Sequence, residues 1–263
     1  MRIVPLLILL AAPAQAHELW IEALDWTPPA EGRLEADLVN GQNFDGLKLS
    51  YLPKGFTRFD VVTGDASGAV AGRMGDSPAL AQAVLAEGLH VVIYQSAPST
   101  VTYAEWAKFL KFVDHKDLGD IAADHKARAL PETGFKEVYS RYSKALIGVG
   151  SSAGADKREG LETEIVALDN PYAGSPDAMR VQVFYQDAVR ANAQVELFEK
   201  AADGTVVVTL HRTDADGIAV LPVRPGHDYM ADAVVMRVPS DALAAEFGAV
   251  WETLWANLTF AVP

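Results

Sequence analysis

Residues Thr205–Met236 read TVVVTLHRTDADGIAVLPVRPGHDYMADAVVM, and this stretch decides the fold class. Three runs rich in β-branched residues, Thr205–Arg212, Ile218–Val223 and Asp228–Met236, are separated by Asp216-Gly217 and Pro225-Gly226. Glycine tolerates positive φ and proline presets φ, so both pairs favour tight turns between strands. The pattern continues outward to Met179–Tyr185 and Ala193–Phe198, with a turn at Asp203-Gly204, and on the other side to Leu254–Val262. Short strands at such close intervals predict an antiparallel sandwich, transthyretin-like or immunoglobulin-like, over residues 171–263.

Upstream, residues 17–170 also alternate as half-buried strands. Leu34, Ala36 and Leu38 alternate with Glu35 and Asp37 before Gly41 and Gly46 interrupt, and strand-like runs follow at Phe56–Thr63, His90–Gln95 and Val138–Val149. They predict a mainly β, sandwich-like N-terminal domain. One segment near residues 103–130 departs from the pattern. There Trp106, Phe109, Leu110 and Val113 fall at i, i+3, i+4 and i+7, the apolar stripe of a helical insertion. Ala79–Ala86 reads as a shorter helix, Ser151–Gly160 as an exposed hairpin loop, and Leu161–Leu168 as a strand. The Pro, Gly and Ser cluster between Asn170 and Asp177 places the domain boundary there.

The first residues look like a leader for export. Arg2 supplies charge, Ile3–Ala12 an apolar run, and Ala14-Gln15-Ala16 the small residues of a cleavage site. A run of about ten apolar residues is too short to span a bilayer, which needs roughly twenty. Residues 1–16 are therefore expected to be removed, leaving a periplasmic chain that begins with His17 and does not insert into the membrane. The formal net charge of −13 disfavours nucleic acid and anionic lipid as partners and favours cations. The chain has no cysteine, so thiolate metal sites and thiol catalysis are ruled out.

No nucleophile elbow, phosphate loop, dinucleotide fingerprint or zinc-protease helix occurs, so the expectation is a non-catalytic protein. The unusual residue is His17. As an amino terminus it offers the α-amine and ring Nδ1 to one ion, and such nitrogen donors suit nickel, cobalt or copper. Among the other histidines His90, opening an apolar strand, ranks first as a further ligand, and His227, beside the Pro225-Gly226 turn, ranks second. His115 and His125, ten positions apart, lie about 80° apart around a helix and read as solvent-facing. Asp214-Ala215-Asp216-Gly217 lacks the closing glutamate of a calcium loop and reads as a turn.

Six segments taken in order resemble one family. They are His17-Glu18-Leu19-Trp20, Val39–Gly46, Tyr142–Gly150, Leu161–Pro171, Thr213–Leu221 and Trp251–Phe260. They are similar to an exported bacterial family catalogued as a domain of unknown function and labelled the periplasmic component of a cobalt or nickel transport system. The resemblance implies a β-rich periplasmic protein and a role in metal uptake, with a membrane metal transporter as partner and His17 as a metal residue. Two other functions compete with this one. A cell-envelope protein- or glycan-interaction module would use exposed aromatics such as Trp20, Trp26 or Trp106, and an oxidative copper enzyme would use the same N-terminal chelate.

Overall fold

The computed structural model describes residues 17–263; the expected leader, residues 1–16, lies outside the described residues. The strands begin with β1 (Glu18–Ala23), β2 (Arg33–Gln42), β3 (Asp45–Leu49), β4 (Phe56–Thr63), β5 (Ala66–Ala69), β6 (Leu80–Ala83), β7 (Gly88–Ser96), β8 (Ser99–Tyr103) and β9 (Phe135–Val149). They continue with β10 (Thr163–Ala167), β11 (Ala178–Tyr185), β12 (Ala188–Val189), β13 (Gln194–Ala201), β14 (Val206–Arg212), β15 (Ile218–Pro222), β16 (His227–Arg237) and β17 (Ala249–Val262). Helices α1 (Trp106–His115) and α2 (Ile121–Ala127) lie between β8 and β9, and α3 (Asp241–Phe247) lies between β16 and β17. The protein is mainly β and sandwich-like, as the strand patterning predicts.

A large central sheet runs in the order β14-β13-β16-β17-β9-β7-β4-β5, with β8 on β9. The sheet of β1, β2, β3 and β6 covers one face, and the sheet of β10, β11, β12 and β15 covers the other. Strand β7 shows why. Leu89, Val91 and Ile93 enter a core with Ile165, Val181 and Leu221, whereas Val92 and Tyr94 enter a second core with Ile21, Leu34 and Leu38. A strand buried on both faces reads as an unbroken apolar run, which is what His90-Val91-Val92-Ile93-Tyr94 is.

The strands on either side of residue 170 share this central sheet. Strand β17 pairs parallel to β9 from Ala249↔Lys136 to Thr259↔Ala145, so the two expected domains are joined along a full ladder. The Ala79–Ala86 segment forms strand β6, not a helix; so short an apolar run carries too few residues to separate the two periods. Nor does Ser151–Gly160 close a hairpin, because β9 and β10 belong to different sheets. Its Asp156 is drawn inside, where Lys144 Nζ donates to it at 2.8 Å. The helical insertion is broken in two at Asp117 and Gly119, which have φ of 51° and 74°. Phe109, Val113 and Ile121 then pack against Trp251 of β17.

The outer edge of β1 runs against the side chains of the central sheet. His17 O accepts from Arg141 Nε at 3.0 Å and Nη2 at 2.7 Å, Leu19 O from Ser143 Oγ at 2.7 Å, and Ile21 O from Thr259 Oγ1 at 2.6 Å. Alternate carbonyls that an edge strand would leave to water or to another chain are thereby satisfied.

Candidate functional site

His17 is half-buried, and its carbonyl is held in the fork of the Arg141 guanidinium. His90 and His227 do not join it. Ser96 Oγ accepts from the Arg141 amide, while His90 lies opposite Ile147. Six residues of strand, roughly 20 Å, therefore separate His90 from the Arg141 end of the sheet. His90 is also sealed: Nδ1 lies 3.0 Å from Gly88 O and Nε2 accepts from the Leu85 amide at 3.3 Å. Burial lowers its proton affinity. His227 stands opposite Val262, beyond Thr259, which is level with Ala145, so it too is at the far end. Its Nδ1 faces Pro225 O at 3.0 Å, and Nε2 is 3.6 Å from Glu199.

His125, read as solvent-facing, is fully buried. Trp251 Nε1 donates to its Nδ1 at 2.9 Å, and Nε2 meets Pro131 O at 3.0 Å. Among the aromatics considered for an interaction surface, Trp20 is fully buried with Val39, Phe44, Phe198 and Met230. Trp26 and Trp106 are partly buried hydrophobics packed onto other cores.

The densest chemistry lies one residue beyond His17. At the end of α1, Lys116 turns its ammonium inward and donates to Glu18 Oε1 at 3.0 Å, Glu196 Oε2 at 2.6 Å and Asp232 Oδ2 at 3.0 Å. All four residues are buried, and they come from β1, the end of α1, β13 and β16. Strand pairing explains part of this convergence, since Glu196 and Asp232 are direct cross-strand partners. A ligand oxygen from each carboxylate lies within 4.8 Å of the others, a spacing that could hold a metal ion. In this structure the lysine ammonium is bonded to all three groups. The exposed ring of His115 adds Nε2 at 3.1 Å from Glu196 Oε1.

Three carboxylates around one ammonium leave surplus negative charge in a low-dielectric place. Burial pushes the Asp232 carboxyl up to about 7; Lys116 opposes the shift, and Glu18 and Glu196 reinforce it. Burial alone would lower the Lys116 ammonium, but Asp232, Glu18 and Glu196 more than reverse that and hold it above its ordinary value. Three oxygens suit hard cations better than nickel or copper. The histidines next to cluster residues in the chain are His17, before Glu18, and His115, before Lys116.

Sequence reasoning missed Glu196, Asp232 and Lys116. A signal did exist for Asp232, a single carboxylate inside the apolar run Met230-Ala231-Asp232-Ala233-Val234. A charge in such a strand is rarely buried without a partner. Lys116 carries no local signal, because only the tertiary fold turns it inward.

Beside the cluster, between α1 and β17, lies a cavity of about 330 Å³ lined by Glu18, Gln42, Tyr103, Lys108, Lys111, Phe112, His115, Lys116 and Trp255. Phe112 stacks on Trp255 with ring centroids 5.6 Å apart, and Lys116 Nζ lies 4.8 Å from the centre of the Trp255 ring.

Fold and site together define a three-layer β-sandwich protein with a buried lysine–carboxylate cluster beside its first described strand. The chain belongs to the family described as a domain of unknown function (DUF4198), whose model matches residues 14–237. No curated protein matches it significantly. A solved structure described as a tetra-tandem repeat in the extending region of a large adhesion protein is 12% identical, with a TM-score of 0.22. That match covers 94% of this chain and 50% of the other, so this chain spans half the length of that one. Among the described residues no helix is long and apolar enough to cross a membrane.

Proposed function

We propose that the chain is an exported, periplasmic transition-metal-binding protein that holds nickel, cobalt or copper through the α-amine and ring of His17. The observation that carries this reading is the clamp on His17, whose carbonyl receives two N–H groups of Arg141 at 3.0 and 2.7 Å. An amino terminus already fixed in place loses little freedom when it closes a chelate ring. The half-buried position of His17 leaves part of it open to solvent and to an incoming ion. Two nitrogen donors with the remaining positions open suit a protein that passes its ion on, and the recipient in this reading is a membrane metal transporter.

The test is calorimetric titration of nickel and copper into the mature protein, into a form with one extra residue before His17, and into His17→Ala. The expected result is a similar loss of affinity in both altered proteins, because either change destroys the chelate. Equal affinity in the mature and extended proteins would overturn the proposal.

A further inference from the structure

The cavity beneath α1 has walls of two opposite electrical characters. We infer that it is a binding site for a free α-amino acid with an apolar or aromatic side chain. Its volume of about 330 Å³ is at the small end of the range for small-molecule sites. At its inner end stands Glu18, whose Oε1 is tied to Lys116 at 3.0 Å. Glu196 and Asp232 crowd the same ammonium, so this end carries more negative charge than Lys116 offsets and favours a second cationic group.

The rim has the reverse character. Lys108 and Lys111 project from successive turns of α1. Lys108 is paired with Glu105 at 2.7 Å, whereas no described side chain pairs with Lys111, which is exposed. Between the two ends runs the stacked pair Phe112 and Trp255, with Tyr103 beside them. The Tyr103 hydroxyl is committed to Glu137 at 2.9 Å, so that residue has its ring to offer. A plain anion would meet Glu18, and a plain cation would meet the lysines. A molecule with its ammonium inward, its carboxylate at Lys111 and an apolar group on the Phe112–Trp255 wall satisfies every surface at once. Ion-paired hydrogen bonds at both ends would select it over analogues lacking either charge.

The proposal is independent of metal binding and is tested in the presence of a chelator. L-phenylalanine, 3-phenylpropionate (no ammonium) and 2-phenylethylamine (no carboxylate) are titrated calorimetrically into the mature protein and into Lys111→Ala. That exposed substitution leaves the buried cluster intact. The expected result is binding of L-phenylalanine, at least about tenfold weaker binding of each analogue, and a loss of about tenfold in Lys111→Ala with an unchanged melting temperature. Binding of 3-phenylpropionate or 2-phenylethylamine as tight as that of L-phenylalanine would overturn the proposal. So would unaltered affinity in Lys111→Ala, or no heat from L-phenylalanine at millimolar concentration.

Discussion

Lys144 Nζ lies 3.1 Å from Glu164 Oε1, joining the central strand β9 to β10 of the sheet that covers one face. Lys116 makes the equivalent tie to the opposite layer through Glu18. Each interface between layers thus contains a buried ammonium.

Removing one of these ammonium groups should be costly. Lys144→Met strips Asp156 and Glu164, both buried at the carboxylate, of their shared cation, although Arg158 still reaches Glu164 at 3.2 Å. The expected loss is about 3–5 kcal/mol in urea unfolding. Adding Asp156→Asn and Glu164→Gln should recover much of it. A single-mutant loss under about 1 kcal/mol would show that the tie is not structural.

The share of stability that Asp232 contributes should fall as pH rises from about 4 to above 7. Asp232 keeps its proton in the native state up to about 7, whereas in the unfolded chain a carboxyl of this type releases it near about 4. Native protein therefore binds the extra proton in that window, and its advantage disappears as pH climbs through the folded value. Glu137, pushed up to about 7 by burial against the opposing bonds from Thr253 and Tyr103, acts in the same direction. Asp232→Asn should flatten the slope by up to about 1.4 kcal/mol per pH unit, and identical slopes in mutant and parent would refute the assignment.

Arg141→Ala should release the first strand. Losing a charge-assisted fork costs about 1.5–3 kcal/mol, and amide exchange should speed up at Trp20, which faces Val39 in the ladder to β2, before the rest of the sheet. If His17 holds metal, nickel affinity should drop in the same variant. Unchanged exchange at Trp20 would show that the remaining carbonyl bonds to Ser143 and Thr259 suffice.

Replacing His125 by Leu should leave the Trp251 indole N–H without its acceptor at 2.9 Å. A buried unsatisfied donor costs about 1–3 kcal/mol. Trp251→Phe in the same background removes the orphaned group and should make the second substitution cheaper than it is alone. Additive losses would contradict the pairing.

The strands were legible where their period was clean. Phe56–Thr63 matches β4, and Met179–Tyr185, Thr205–Arg212 and Ile218–Val223 fall within a residue of β11, β14 and β15. What the sequence could not convey was pairing across long separations. The parallel ladder of β9 and β17 leaves no local trace, so nothing in the sequence tells that strands from both sides of residue 170 share one central sheet. The same blindness applies to the buried cluster, whose members span residues 18 to 232. His125 was misjudged because helix geometry places a side chain on a face without saying what covers that face.

The bond from Thr259 Oγ1 to Ile21 O spans 238 residues, and those from Arg141 and Ser143 to β1 span 124. The strand synthesised nearly first therefore waits for the strand synthesised nearly last. The ladder of β1 to β2 is local, but the bond of β1 to Thr259 has to wait for residue 259, and contacts of such separation form late and slowly. A chain built this way couples its two ends, so the seating of the first described strand is completed only when the last one is in place.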